Sequence, residues 1–146
     1  MKITLCGSTK FEGLFFAWDK ALTTMGHIVY SLGAFPAVEN KDRESKGYLT
    51  DEQKEIFDLV YYAKIEESDA ILVLNPGNYI GESCRREIAW ARIRNKKVYW
   101  LKAPVLGPGE AWIEGETSVD SIPGFQRYTY KYGLPEQFNG DGSDPR

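Results

Sequence analysis

The sequence predicts a single doubly wound α/β domain with a mainly parallel sheet of four to five strands. Three observations predict it. Short apolar runs alternate with stretches of helical periodicity through the first hundred residues, the pattern of parallel strands joined by right-handed helical crossovers. One of these runs, Asp69-Ala70-Ile71-Leu72-Val73-Leu74, is almost continuously apolar, as a strand covered on both faces has to be. The chain has 146 residues, one domain's length and enough to enclose a single core.

Taken in order, Ile3-Thr4-Leu5-Cys6 forms the first strand and stops at Gly7. An apolar stripe of Phe11, Leu14, Phe15, Trp18, Leu22 and Met25 marks the first helix, with Gly26 as its C-terminal stop. His27 to Leu32 reads as the second strand. A long, mostly polar loop from Gly33 to Leu49 follows, of a length found in lids, binding loops and mobile surface segments. Thr50 and Gln53 have the spacing of a capping box. The helix they open carries Ile56, Leu59, Val60 and Ala63 on one side, expected to pack on the sheet. The buried third strand is closed by Asn75-Pro76-Gly77. A third helix runs from about Ser83 to Arg94, and Lys97 to Leu101 supplies a fourth strand. This order is flavodoxin- or Rossmann-like. Residues 1–103 are expected to form the α/β domain. Residues 104–138 read as a turn-rich extension packing on the domain or on a neighbouring subunit, and 139–146 as a disordered tail. No internal repeat is present.

Composition excludes several classes. At 42% hydrophobic and 27% charged residues, neither disorder nor a fibre is indicated. A net charge of −3 gives no general attraction to nucleic acid or to an anionic membrane. No apolar run approaches the roughly 20 residues of a membrane span, and the N-terminal apolar stretch is too short for a secretory signal. Two cysteines, Cys6 and Cys84, and one histidine, His27, suggest no disulfide framework or zinc site. A cytoplasmic protein without metal or cofactor is the expectation.

Ligands of open parallel sheets bind beyond the carboxyl ends of the strands, and two segments there carry suitable chemistry. Gly7-Ser8-Thr9-Lys10 joins the first strand to the first helix. Its glycine, hydroxyls, helix N–H groups and lysine suit a phosphate, although the spacing is not that of a P-loop. Ser8 or Thr9 as a plain helix cap is the alternative. Between the third strand and third helix lies Gly81-Glu82-Ser83-Cys84-Arg85-Arg86-Glu87. Arginines in a first helical turn oppose the helix dipole. A ligand anion beside Arg85 and Arg86 reverses that sign, as does surface pairing with Glu82 or Glu87. Glu87 shares a side of its helix with Trp90, Ala91 and Arg94, from which a carboxylate faces the cleft or pairs with Arg94 or Lys97. By position alone, Asp69 equally ends the preceding helix or reaches the site.

Three stretches together resemble the nucleoside 2-deoxyribosyltransferase superfamily, which includes deoxynucleoside-monophosphate N-glycosidases. They are Leu5-Cys6-Gly7-Ser8-Thr9-Lys10-Phe11, Ser68-Asp69-Ala70-Ile71-Leu72-Val73, and Gly81 to Ala91 with its Glu87-Ile88-Ala89-Trp90-Ala91. The resemblance covers about the first hundred residues. It implies that Glu87 is the nucleophile, that Asp69 lies near the reacting sugar, and that Gly7, Ser8, Thr9 and Lys10 form a ligand-binding loop. Gly81, Ser83, Arg85 and Trp90 complete the implied substrate-binding set. Trp90 stands where the family has Tyr, Ala89 replaces a Gly, and the Ser83-to-Glu87 interval is one residue longer than the common form.

The implied reaction is cleavage or transfer of the N-glycosidic bond of a (deoxy)nucleoside or its 5′-monophosphate, through a cationic sugar stabilised or attacked by a carboxylate. The implied partner is a small nucleoside or nucleotide rather than a nucleic acid polymer or membrane, and the family's habit of completing pockets across subunits implies a homo-oligomer. A non-catalytic nucleotide-binding or sensing module on the same fold is the rival. A phosphoribohydrolase is disfavoured because its Gly-Gly-x-Gly-Thr motif is missing. Cys84, at a helix N-terminus, is a weaker nucleophile candidate without a histidine beside it, and His27 reads as structural. Tyr79, Trp112, Tyr128 and Tyr130 are candidates for stacking on a base or for packing on the domain.

Overall fold

The computed structural model describes residues 1–33, 49–104, 108, 113 and 115–135. The expectations for the polar loop over 34–48, for Trp112 and for the tail over 139–146 lie outside the described residues. Five strands, β1 (Lys2–Gly7), β2 (Ile28–Tyr30), β3 (Ala70–Leu74), β4 (Lys97–Trp100) and β5 (Glu116–Ser118), form one sheet in the order β2-β1-β3-β4-β5. Every neighbouring pair is parallel. Helices α1 (Glu12–Thr24), α2 (Asp51–Glu67), α3 (Glu82–Ile93) and α4 (Phe125–Tyr132) cover its faces. The doubly wound α/β expectation is met.

Alternation along the strands divides the core in two. Ile3, Leu5, Leu72 and Leu74 point to the layer of α1, where Leu14, Phe15, Trp18 and Leu22 meet them. Thr4 and Cys6 point the other way. Cys6, Ile71 and Val73 pack under Tyr61 and Ile65 of α2 and under Cys84, Ile88 and Ala91 of α3. All five residues of β3 are buried, as a central strand requires. Gly26 ends α1 at φ +98°, a conformation that glycine adopts without penalty.

The capping box at Thr50 is formed: Gln53 N–H donates to Thr50 Oγ1 at 3.1 Å, and Thr50 N–H donates to Gln53 Oε1 at 2.9 Å. The predicted face of α2 is corrected. Ile56, Leu59 and Val60 are 52%, 64% and 49% exposed, while Tyr61 and Ile65 are buried. The true face carries polar groups that hydrophobic periodicity does not register. Tyr61 donates its hydroxyl to the Leu5 carbonyl. Thr4 and Ser68 share a 2.5 Å hydrogen bond, and the Lys64 ammonium donates to the Ser31 carbonyl at 2.8 Å.

The described part of the extension packs on the domain. Glu116–Ser118 adds a fifth strand beside β4, and Val119, Ile122 and Phe125 join the α1-side core, with Phe125 stacked 6.3 Å from Trp18. β5 is held by its first residue. Arg92 donates to both Glu116 carboxylate oxygens at 2.7 and 3.0 Å, and Trp100 Nε1 donates to Oε1 at 3.2 Å. His27 is structural: the Met1 ammonium donates to Nδ1 at 3.0 Å and Nε2 donates to the Pro123 carbonyl at 2.7 Å. No helix among the described residues is long and apolar enough to cross a membrane.

Candidate active site

In this strand order the crossovers change sides between β1 and β3, since β1 feeds α1 on one face and β3 feeds α3 on the other. The outgoing loops leave on opposite faces there, at the carboxyl edge of the sheet, where such folds bind ligands. The two walls of the candidate site are Gly7 to Phe11 and Asn75 to Gly81.

Buried Asn75 fixes the second wall. Its side chain donates to the Lys102 carbonyl at 2.9 Å and accepts from the Lys102 N–H at 3.0 Å. Gly77 and Asn78 then take consecutive left-handed conformations, φ 63° and 62°. The first wall is a single 3₁₀ turn, Thr9–Phe11, capped by Ser8, whose hydroxyl accepts from the Lys10 N–H at 3.3 Å. The walls clasp each other: the Lys10 ammonium lies 3.5 Å from the centre of the Tyr79 ring, and Phe11 meets Tyr79 edge-on at 5.9 Å.

Gly7 has a packing duty. A Cβ there stands 2.9 Å from the Leu74 carbonyl oxygen and 3.1 Å from Leu74 Cβ, so the missing side chain lets β1 and β3 close up. We expect Gly7→Ala to lower stability by about 1–3 kcal/mol through overpacking. Thermal unfolding checks this, and an unchanged Tm contradicts it.

Glu87 is half-buried on the second turn of α3. Its carboxyl is close enough to the thiol of Cys6, the penultimate residue of β1, for the two to influence each other's ionisation. Burial pushes the Glu87 carboxyl up to about 8. The Cys6 thiol, Lys54 and Arg86 pull it down, and Asp58 pushes it further up. Lys54 and Asp58 are ion-paired at 3.2 Å on α2. The same enclosure raises the thiol of Cys6 and the phenol of Tyr61, and burial lifts Cys84 to about 12. A thiol so poised is not a nucleophile near neutral pH.

The other predicted residues divide. Trp90, half-buried, meets Tyr62 at a tilt with ring centres 5.5 Å apart and lies under the Arg94 guanidinium at 4.4 Å. Ser83 and Arg85 are exposed, and Arg86 pairs with Glu82 at 3.4 Å. Gly81 is the N-cap of α3.

Asp69 is not brought to this edge. It precedes β3 and accepts from the Lys2 N–H at 2.7 Å, level with the start of β1. Cys6 lies four residues further along, roughly 13 Å away at strand rise. The local reading, a carboxylate finishing the turn between α2 and β3, is the one the geometry supports. We expect Asp69→Asn to leave any activity at the carboxyl edge within about twofold, and a loss above tenfold contradicts this placement.

Cys6, Tyr61, Asp58, Lys54 and Tyr79 are the neighbours that sequence reasoning did not assign to the site. Only Tyr79 carried a signal, as a loop aromatic beside the glycines. The α2 residues sit on the side of the helix that the apolar pattern pointed away from. Among the described residues no three His, Cys, Asp or Glu side chains converge as metal ligands.

The fold is an α/β domain whose candidate site is the β1/β3 switch point. Known structures of this architecture include the 2-deoxyribosyltransferase of the psychrotolerant bacterium Bacillus psychrosaccharolyticus. It matches with a TM-score of 0.55 and 17% identity, over 74% of this chain and 78% of that one. A CMP N-glycosidase of Clostridium botulinum matches with a TM-score of 0.44 and 18% identity, over 68% and 70%. At these identities the first likeness is one of fold. No family profile and no curated protein matches the sequence.

Proposed function

We propose that this protein cleaves or transfers the N-glycosidic bond of a nucleoside or nucleoside 5′-monophosphate, with Glu87 as nucleophile. The observation that carries the proposal is the inward-turned Glu87 carboxyl, half-buried beside the last residues of β1. A carboxylate in such a place has lost much of its hydration and gains most from a neighbouring cation, which the sugar becomes as its bond to the base lengthens. Glu87 loses its proton, a carboxylate oxygen bonds to the anomeric carbon, and the carbon–nitrogen bond breaks with its electron pair leaving on the base. The base takes up a proton from solvent or a protein acid. Water, or a second base, then displaces Glu87 from the sugar. Lys10 supplies the positive charge near the site that a 5′-phosphate requires, by leaving the Tyr79 ring. The exposed Ile56, Leu59 and Val60 of α2 support assembly into a homo-oligomer.

The test is incubation with ribo- and deoxynucleosides and their 5′-monophosphates, with chromatography for released base. Release from at least one class, absent in Glu87→Gln, is the expected result. Tight binding of a nucleotide with no release from any of them supports the non-catalytic module.

A further inference from the structure

We propose that the outer face of α2 and α3 is a dimer interface. A second copy of this chain docks on it about a two-fold axis running along the helices, so that α2 of each copy lies on α3 of the other. This rests on the homo-oligomeric reading and is independent of the reaction assigned to Glu87. The outward side of α2 is apolar where a solvated helix is polar. Tyr61 and Ile65 are buried against the sheet, whereas Ile56, Leu59, Val60 and Ala63, spaced i, i+3, i+4 and i+7, are all exposed. On α3, Cys84, Ile88 and Ala91 go to the core, while Ala89 and Ile93 turn outward, Ile93 at 69% exposure. The two helices run side by side in the same direction, level where Tyr62 meets Trp90 at 5.5 Å and Arg94 pairs with Glu66 at 3.0 Å. Their outward apolar residues therefore form one patch, the kind of surface that marks association. α2 has 17 residues, about 25 Å of length, and two helices abreast are roughly 20 Å wide. That is close to the footprint of a standard interface, which buries about 800 Å² on each partner.

Charge selects the occupant and its orientation. Exposed Asp51, Glu52, Glu55 and Glu67 make α2 acidic, and exposed Arg85, Arg86 and Arg94 make the α3 side basic. A face that is acidic along one helix and basic along the next is complementary to a second copy of itself. Stacking α2 on α2 sets carboxylates against carboxylates, which opposes association, whereas α2 on α3 sets opposite charges together at both ends. A two-fold axis along the helices leaves every residue at its own height. With Tyr62 level with Trp90, Leu59 then falls beside Ala89 of the partner subunit, and Ala63 beside Ile93 of the partner subunit. Each large side chain meets a small one, as close helix packing requires. Glu55 comes within a turn of Arg86 of the partner subunit.

Sedimentation velocity at micromolar concentration, with wild type, Leu59→Glu and Ala89→Glu, tests the surface. Wild type sediments as a dimer. Each variant weakens dimerisation by at least about 100-fold, because the two-fold axis repeats every lost apolar contact and every unpaired charge. Both positions are exposed in the single chain; should Leu59→Glu not fold, Ala89→Glu carries the test. The orientation is read by cross-linking, since the native Cys6 and Cys84 are buried. Mixed Leu59→Cys and Ala89→Cys chains treated with a short bis-maleimide join to each other, and neither joins to itself. A monomeric wild type overturns the interface and the homo-oligomer together. A dimer that both glutamate variants leave intact overturns this surface alone. Leu59→Cys chains that join to each other, or a mixed product no more abundant than the like ones, overturn the crossed pairing. Base release decides the reading of Glu87 in every case.

Discussion

On the proposed reaction, replacing Glu87 with glutamine will abolish base release, and it will make the protein more stable at pH 8. The loss in kcat is expected to be about 10³-fold or more, because the amide neither attacks carbon nor carries the charge that answers a sugar cation. The stability gain has the opposite origin. An unfolded glutamate loses its proton near 4.5, whereas in the folded protein burial holds the carboxyl at about 8. Between those values the folded state keeps a proton that the unfolded chain has released. The contribution of Glu87 to stability is therefore whole below about pH 4.5 and is lost as pH rises through about 8. Glutamine does not titrate. The difference in unfolding free energy between Glu87→Gln and wild type should thus grow from under about 1 kcal/mol at pH 5 to about 3–4 kcal/mol at pH 8, a little below the full linkage value because water reaches a half-buried carboxyl. A difference that stays flat with pH contradicts the buried carboxyl. On the proposed reaction the same value governs catalysis: a nucleophile must be ionised, so kcat/KM should rise about tenfold per pH unit below 8 and level off above it. A fall through the same interval makes Glu87 a proton donor instead.

The largest loss of stability away from the site is expected at Glu116→Ala. The Glu116 side chain is 4% exposed and satisfies two nitrogens of Arg92 together with the indole of Trp100. Removing it strands a guanidinium and an indole N–H and unlatches β5 from α3 and β4. Breaking a fully buried pair costs about 3–5 kcal/mol. Arg92 is 38% exposed and recovers part of its hydration, so about 2–3 kcal/mol is expected, or a Tm lower by about 5–10 °C for a chain of this length. Glu116→Gln, which keeps an acceptor for Trp100, should lose less. A Tm within 2 °C of wild type in the alanine variant contradicts the latch.

What the sequence revealed follows from the kind of signal each element leaves. β1, β3 and β4 are apolar runs, and the stripe of α1 coincides with its buried side, so both were legible. β5 is Glu-Thr-Ser, held by an ion pair and a short ladder rather than by apolar surface, and nothing local announces it. α2 misled because its best apolar triad, Ile56, Leu59 and Val60, faces outward, while its buried side uses a tyrosine hydroxyl and serine–threonine hydrogen bonds. The pattern around Glu87 singled it out, and its carboxyl is half-buried in the structure. Asp69 was misplaced because a carboxylate at the foot of a strand and one at its head look alike in one dimension, and only the register with Lys2 separates them. The influence of Cys6 on Glu87 left no local signal, since 80 positions lie between them in the chain.

The central claim is that a Glu87 oxygen bonds to the anomeric carbon of the sugar. Mass spectrometry of protein incubated with a 2′-fluorinated nucleoside, whose electron-poor sugar slows release from the enzyme, tests it most directly. The account predicts a fluorosugar mass on the peptide carrying Glu87 and none in Glu87→Gln. Base released without an adduct, or an adduct on another side chain, contradicts it.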